Sequence, residues 1–145
     1  MTSATARIGW LQARERTQTS VASFAAAAPT VLRVAAGALF LQHGLQKLFG
    51  VLGGTPVPLF SMFGVAGVLE LVGGLLLIVG FAVRPAALIL LVEMVAAYFI
   101  AHAPQGGWPV QNGGELPLLY AAIFGFFAAY GAGWLSVDRW IRQKK

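Results

Sequence analysis

The sequence has no cysteine. That excludes disulfides, thiolate metal ligands and cysteine-held iron–sulfur clusters. Charge is almost as scarce: 10% of residues are Asp, Glu, Lys or Arg, against roughly 25% in a soluble domain. No Ser-His-Asp arrangement, phosphate-binding loop or dinucleotide fingerprint can be read along the chain. With 145 residues, it is too short for two domains.

What is present is apolar. Hydrophobic residues make up 58% of the chain, and the mean hydropathy is +0.76. Four segments, at 30–50, 61–83, 86–103 and 116–135, each approach the ~20 residues needed to cross ~30 Å of hydrocarbon. Pro56 and Pro58 separate the first two. Arg84-Pro85 reads as the turn between the second and third, and a Gly/Pro-rich loop, 101–115, precedes the fourth. Trp108 near one end and Trp134 and Trp140 near the other fit interfacial belts. The expected fold is an all-α integral membrane four-helix bundle.

A net charge of +5 first suggests nucleic acid, but here the positive charge tracks topology, and no nucleic-acid partner is expected. Arg7, Arg14, Arg16, Arg33, Arg84, Arg139, Arg142, Lys144 and Lys145 fall on one side of a four-span chain. Both termini are therefore expected in the cytoplasm, with the protein multi-pass in the inner membrane. Residues 1–29 read as a basic cytoplasmic segment, either a short helix on the inner leaflet or a partly disordered tail. Residues 30–140 form the membrane domain, and 141–145 a basic tail. Ala25–Ala28 resembles a cleavage region, but no strong apolar run precedes it, so no cleaved signal is expected.

Polar residues inside these spans need partners, because polar groups are costly in hydrocarbon. Gln42, His43, Gln46 and Lys47 form one polar band on the first span. At 1.5 Å per residue, Glu70, Tyr98, His102, Asn112 and Glu115 map with them to the outer half. This suggests a hydrogen-bonding pocket opening outward among the helices. Lys47 pairs with Glu70 or Glu115, or else reaches the interface alone. Glu70 is either that partner or a neutral acid packed on its glycines. His102 also fits a loop-edge role. Arg33 reads most simply as an inner-interface anchor.

Glu93 lies roughly 180° around the helix from His102, so the two cannot share a pocket. Glu93 maps nearer the cytoplasmic side, facing either an oligomer partner or a cavity there. A haem held by His43 and His102 is disfavoured by their different depths. A metal held by the histidines and carboxylates is likewise not expected. Ala121, Gly125, Ala129 and Gly133 form a small-residue stripe expected to pack the fourth span closely. Gly67, Glu70 and Gly74 share a face of the second.

Several motifs together resemble the DoxX family of small four-span membrane proteins: Arg33, Gly37, His43-Gly44 and Lys47; Glu70, Gly73-Gly74, Gly80 and Arg84; Gly113-Gly114-Glu115 with Pro117; and Gly131, Gly133, Ser136 and Asp138. The resemblance covers about residues 30–140. It implies a role near the quinone pool, because relatives are subunits of quinone-linked oxidoreductases or associate with soluble redox enzymes. On that basis His43, Lys47 and Glu70 are candidate catalytic groups, donating hydrogen bonds and protons to a quinone. Gln42, Gln46, Tyr98, His102, Asn112 and Glu115 are candidate binding groups. Electrons would come from a bound partner or cofactor, and a protein partner or a homo-oligomer in a membrane complex is expected. Two other classes stay open: a non-catalytic assembly subunit, and a small-solute or proton conduit through Glu70 and Glu93.

Overall fold

The first apolar segment lies in the longest helix, α1 (Ser3–Phe49), which runs through Pro29 without a break. The structure, a computed structural model, describes the backbone of residues 3–144 and the side chains of residue 18 and residues 22–144. The part of α1 apolar enough to cross a membrane is Ala22–Phe49. No helix boundary separates the expected N-terminal segment from the first span. The side chains of Arg7, Arg14 and Arg16, expected to meet the inner leaflet, lie outside the described residues, as does Lys145.

Helix α2 (Met62–Val79) starts at Ser61, whose hydroxyl accepts from Gly64 N at 3.1 Å, a standard N-cap. It ends at Gly80, φ 73°, the left-handed stop that glycine adopts without strain. Helix α3 (Val83–Ala97) begins three residues later. The turn is therefore Gly80-Phe81-Ala82, and Arg84-Pro85 already lies in the first turn of α3, where proline's missing N–H is not needed. The chain continues from α3 through a π-helical turn, Tyr98–His102, and a 3₁₀ turn, Ala103–Gln105. A short helix α4 (Pro109–Asn112) follows. Helix α5 (Glu115–Tyr130) has 16 residues and stops at Gly131, φ 88°, five residues short of the expected end. Helix α6 (Val137–Gln143) closes the described chain.

Among the described residues three helices are long and apolar enough to span a membrane: Ala22–Phe49, Met62–Val79 and Val83–Gln105; Glu115–Tyr130 is a shorter apolar fourth. The protein is an all-helical membrane bundle.

Helix α1 packs mainly on α2, and α3 on α5, with α2 against α3 joining the two pairs. Glycine makes the α1–α2 seam. A methyl group at Gly37 would stand 2.8 Å from Gly74 O, and one at Gly44 would stand 2.6 Å from Leu71 N and 2.7 Å from Gly67 O. The two helices thus touch backbone to backbone, with contacts seven residues apart on each. That is two turns, the spacing at which antiparallel helices keep one face together.

The α5 stripe does not do this. Gly125 would bring a methyl group no nearer than 3.9 Å to Leu91 Cδ2, and Ala129 is exposed. Of the stripe only Ala121 is buried in the packed face of α5, together with Tyr120, Phe124 and Phe127. Large aromatics fill that interface; Phe40 of α1 meets Phe124 and Tyr120 with ring centres 4.8 and 5.1 Å apart.

A polar clamp ties the end of the bundle nearest the α2–α3 turn. Arg33 is 1% exposed and is no interface anchor. Its guanidinium donates to Leu77 O, to Ile78 O at 3.0 Å and to Leu135 O at 2.6 Å. It thereby satisfies Ile78 O, left open at the end of α2, and adds a second donor to Leu77 O, which Gly80 N also reaches at 3.2 Å. Asp138 of α6 accepts from Ala82 N at 2.8 Å and Val83 N at 3.0 Å, capping α3, which Ala82 cannot cap.

Candidate functional site

Turn placement decides which polar groups meet. Glu70 lies ten residues before Gly80 on α2, and Glu93 ten residues after Val83 on α3. At 1.5 Å per residue both stand about 15 Å from the turn. Glu93 is therefore level with Glu70 and lies within electrostatic range of Glu70 and Lys47.

Lys47 comes from α1, placed by the glycine seam: the Gly67 backbone lies against Lys47 Cβ. Lys47 Nζ donates to Glu70 Oε1. The Lys47 side chain is 29% exposed and that of Glu70 only 3%. Of the sequence alternatives the structure forms this pair. Glu115 is exposed at a different cleft, beside Pro109 and Leu119.

The groups line a cleft of about 530 Å³ between α2 and α3. Its walls are apolar: Phe63, Ala66, Leu69, Ile89, Val92 and Ala97 are among them. Phe63, Ile89 and Val92 are exposed on the bundle's outer surface. The cleft thus opens sideways between two helices, in place of the outward-opening pocket expected among all four. Lys47, Glu70 and Glu93 are its charged lining. Glu70 Oε2 and both Glu93 carboxylate oxygens are buried and have no hydrogen-bond partner in the structure. Unmade hydrogen bonds of this kind are costly, so such groups call for a ligand, a proton or water.

The other candidates lie elsewhere. His43 sits behind the pair, within electrostatic range of Glu70. Its ring meets Phe40 and Tyr120 edge-on at 6.5 and 6.4 Å, and it does not line the cleft. Gln42 is exposed. Gln46 donates to Leu52 O at 3.0 Å, holding the α1–α2 loop. Tyr98 packs on Phe99 and beside Gly114.

His102 Nδ1 donates to Asn112 O at 2.9 Å, the loop-edge role the sequence also allowed. Asn112 is 4% exposed, donates to Gly106 O and accepts from Gly114 N, so it organises the loop before α5. Glu93 and His102 do not share a pocket, as their helical phase requires. Among the described residues no group of three or more His, Asp or Glu side chains gathers to hold a metal ion.

Sequence reasoning left Glu93 unassigned. The signal that finds it is Gly80: taken as the helix stop, it shortens α2, advances α3 and brings the two acids level.

Residues 28–103 match the family model DoxX. The chain is 42% identical over 114 residues to an uncharacterized protein of Haemophilus influenzae, covering 74% of this chain and 85% of that protein. To a second uncharacterized protein of the same organism it is 36% identical over 74 residues, covering 51% of this chain and 49% of that one. No solved structure matches the chain.

Proposed function

Because the chain belongs to the DoxX family, we propose that it is a membrane subunit of an oxidoreductase assembly at the quinone pool. The α2–α3 cleft is where the quinone head sits. The observation that carries this reading is a lateral, apolar cleft whose far wall offers one ammonium and two carboxylates with unpartnered oxygens. A quinone carbonyl needs a donor, which Lys47 supplies. A quinol hydroxyl needs an acceptor, which Glu93 and the free oxygen of Glu70 supply. The apolar walls suit an isoprenoid chain and keep water from the acids.

Quinone, when bound, supplies the redox chemistry; the residues here bind it, orient it and hold its protons. Electrons arrive from a protein partner in the same membrane complex. The chain lies in the inner membrane with both termini cytoplasmic: Arg84, Arg139, Arg142 and Lys144 flank the clamped end, and Lys47 sits toward the other. Residues 1–29 and 141–145 are its cytoplasmic segments, and 30–140 its membrane domain.

The test is carbodiimide labelling of Glu93 in the full chain in lipid nanodiscs. A short-chain ubiquinol should slow labelling with saturation, and Val92→Trp, which fills the cleft, should abolish that protection. If Glu93 labels at the same rate with saturating quinol and without it, the cleft does not take quinone. The non-catalytic assembly role then becomes the better reading.

A further inference from the structure

A second cavity lies at the clamped end of the bundle, far from the acids. It holds about 380 Å³ and is lined by Thr30, Arg33, Ser136 and Trp140 with apolar walls that include Val34 and Val79. Thr30 and Arg33 are three residues apart and share one face of α1. Arg33 is 1% exposed and Thr30 9%. Arg33 Nε and Thr30 Oγ1 are buried there with no hydrogen-bond partner.

The remaining polar atoms of the clamp are occupied. The Arg33 terminal nitrogens serve carbonyls, and both Asp138 oxygens serve the α3 amides. Arg33 therefore makes no hydrogen bond to a carboxylate, and its charge is answered only by dipoles and by Asp138 at a distance. Arg139 and Arg142 on α6, and Lys144 just beyond it, add positive charge around the same end.

Below the polar rim, Val34 and Val79 lead onto the outer apolar surface of α1 and α2, where both are exposed. A buried cation, a free hydroxyl, basic surroundings and an apolar exit match one chemistry: an anionic phosphate joined to an acyl chain. We propose that this cavity seats the headgroup of an anionic phospholipid. The phosphate lies against Thr30 and Arg33, Trp140 covers the glycerol, and one chain runs along Val34 and Val79. A lipid held there would complete the clamp between α1, α2 and α6.

The test uses the full chain purified in detergent. Phosphatidylglycerol, phosphatidylcholine with the same chains, and inorganic phosphate are added separately. Binding is read by native mass spectrometry. It is also read by brominated-lipid quenching in a variant that keeps Trp140 alone (Trp10→Phe, Trp108→Phe, Trp134→Phe).

One phosphatidylglycerol should bind about ten-fold more tightly than phosphatidylcholine, because both carry the phosphate but the choline cation is repelled by Arg139, Arg142 and Lys144 at this end. Arg33→Gln will disturb the clamp itself, so two gentler variants decide the matter. Thr30→Val removes the hydroxyl, and Val79→Trp fills the cavity. Each should weaken phosphatidylglycerol binding about ten-fold while the lipid-free melting temperature stays the same. Equal affinity for the two lipids, or phosphatidylglycerol binding unchanged in both variants, overturns the proposal. So does displacement of the lipid by millimolar inorganic phosphate, which would make this a site for a soluble anion.

Discussion

Replacing Gly44 by alanine adds one methyl group to the α1–α2 seam. That methyl would stand 2.6 Å from Leu71 N and 2.7 Å from Gly67 O, both backbone atoms that no rotamer change can move. Ordinary contact begins near 3.4 Å, so the helices must separate by roughly 0.8 Å. Overpacking of this kind costs about 1–3 kcal/mol, and alanine's higher helix propensity returns up to about 1 kcal/mol. The net expectation is a loss of about 1–2 kcal/mol.

Gly125→Ala is the internal control. Its methyl group meets nothing nearer than 3.9 Å, so propensity alone acts and the variant should gain up to about 1 kcal/mol. The same chemical change should thus have opposite signs at two glycines. The assay is reversible unfolding of the full chain by SDS in mixed micelles. If Gly44→Ala proves as stable as Gly125→Ala, the seam is not a close backbone contact and the helix placement behind Lys47 is wrong. A functional consequence accompanies the stability change, because Lys47 follows Gly44 by three residues. Separating the helices draws Lys47 away from Glu70.

Lys47→Met strands Glu70, whose side chain is 3% exposed, and should cost about 3 kcal/mol; Glu70→Gln leaves a lysine that can reach water and should cost less. The double variant should lose less than the sum, and simple additivity in the same unfolding assay would show that the pair does not stabilise the fold. Arg33→Met should cost about 3 kcal/mol by orphaning the carbonyls of Ile78 and Leu135 and leaving Leu77 O with Gly80 N alone. Arg33→Lys should rescue little, since one ammonium cannot span those acceptors; full rescue would restore the interface-anchor reading. Reporters active only in the cytoplasm, fused to each terminus, should both be active, and silence at either end would refute the proposed topology.

The four helices and the Lys47–Glu70 pair were legible because hydropathy and depth follow from counting along the chain. Errors arose where a count started from the wrong place. Taking Arg84-Pro85 as the turn lengthened α2 by four residues and delayed α3 by three, which hid the level placement of Glu70 and Glu93. Proline is ambiguous there: it marks a turn or the first helical turn, and Gly80 decides between them.

The α5 stripe misled for a different reason. Four small residues at i, i+4 spacing mark where close approach is permitted, not where it occurs. The aromatic residues Tyr120, Phe124 and Phe127 bury more area, and they set the packed face. Arg33 was misread because a lone arginine near a span end usually reaches water. Its acceptors come from α2 and from beyond α5, and local spacing cannot reveal them.

The clamp at Arg33 also imposes an order in time. Its acceptor Leu135 lies 102 residues further along the chain. At about 5–20 residues per second, a growing chain carries Arg33 for roughly 5–20 s before that carbonyl is made. Until then the first span sits in the membrane with an incompletely bonded cation, and nothing fastens α1 to the end of the chain. Only a chain synthesised past Ser136 can make the bond from Arg33 to Leu135 O. A chain stalled or cut before that point holds Arg33 by the α2 carbonyls alone, with α1 not yet tied to the segment after α5.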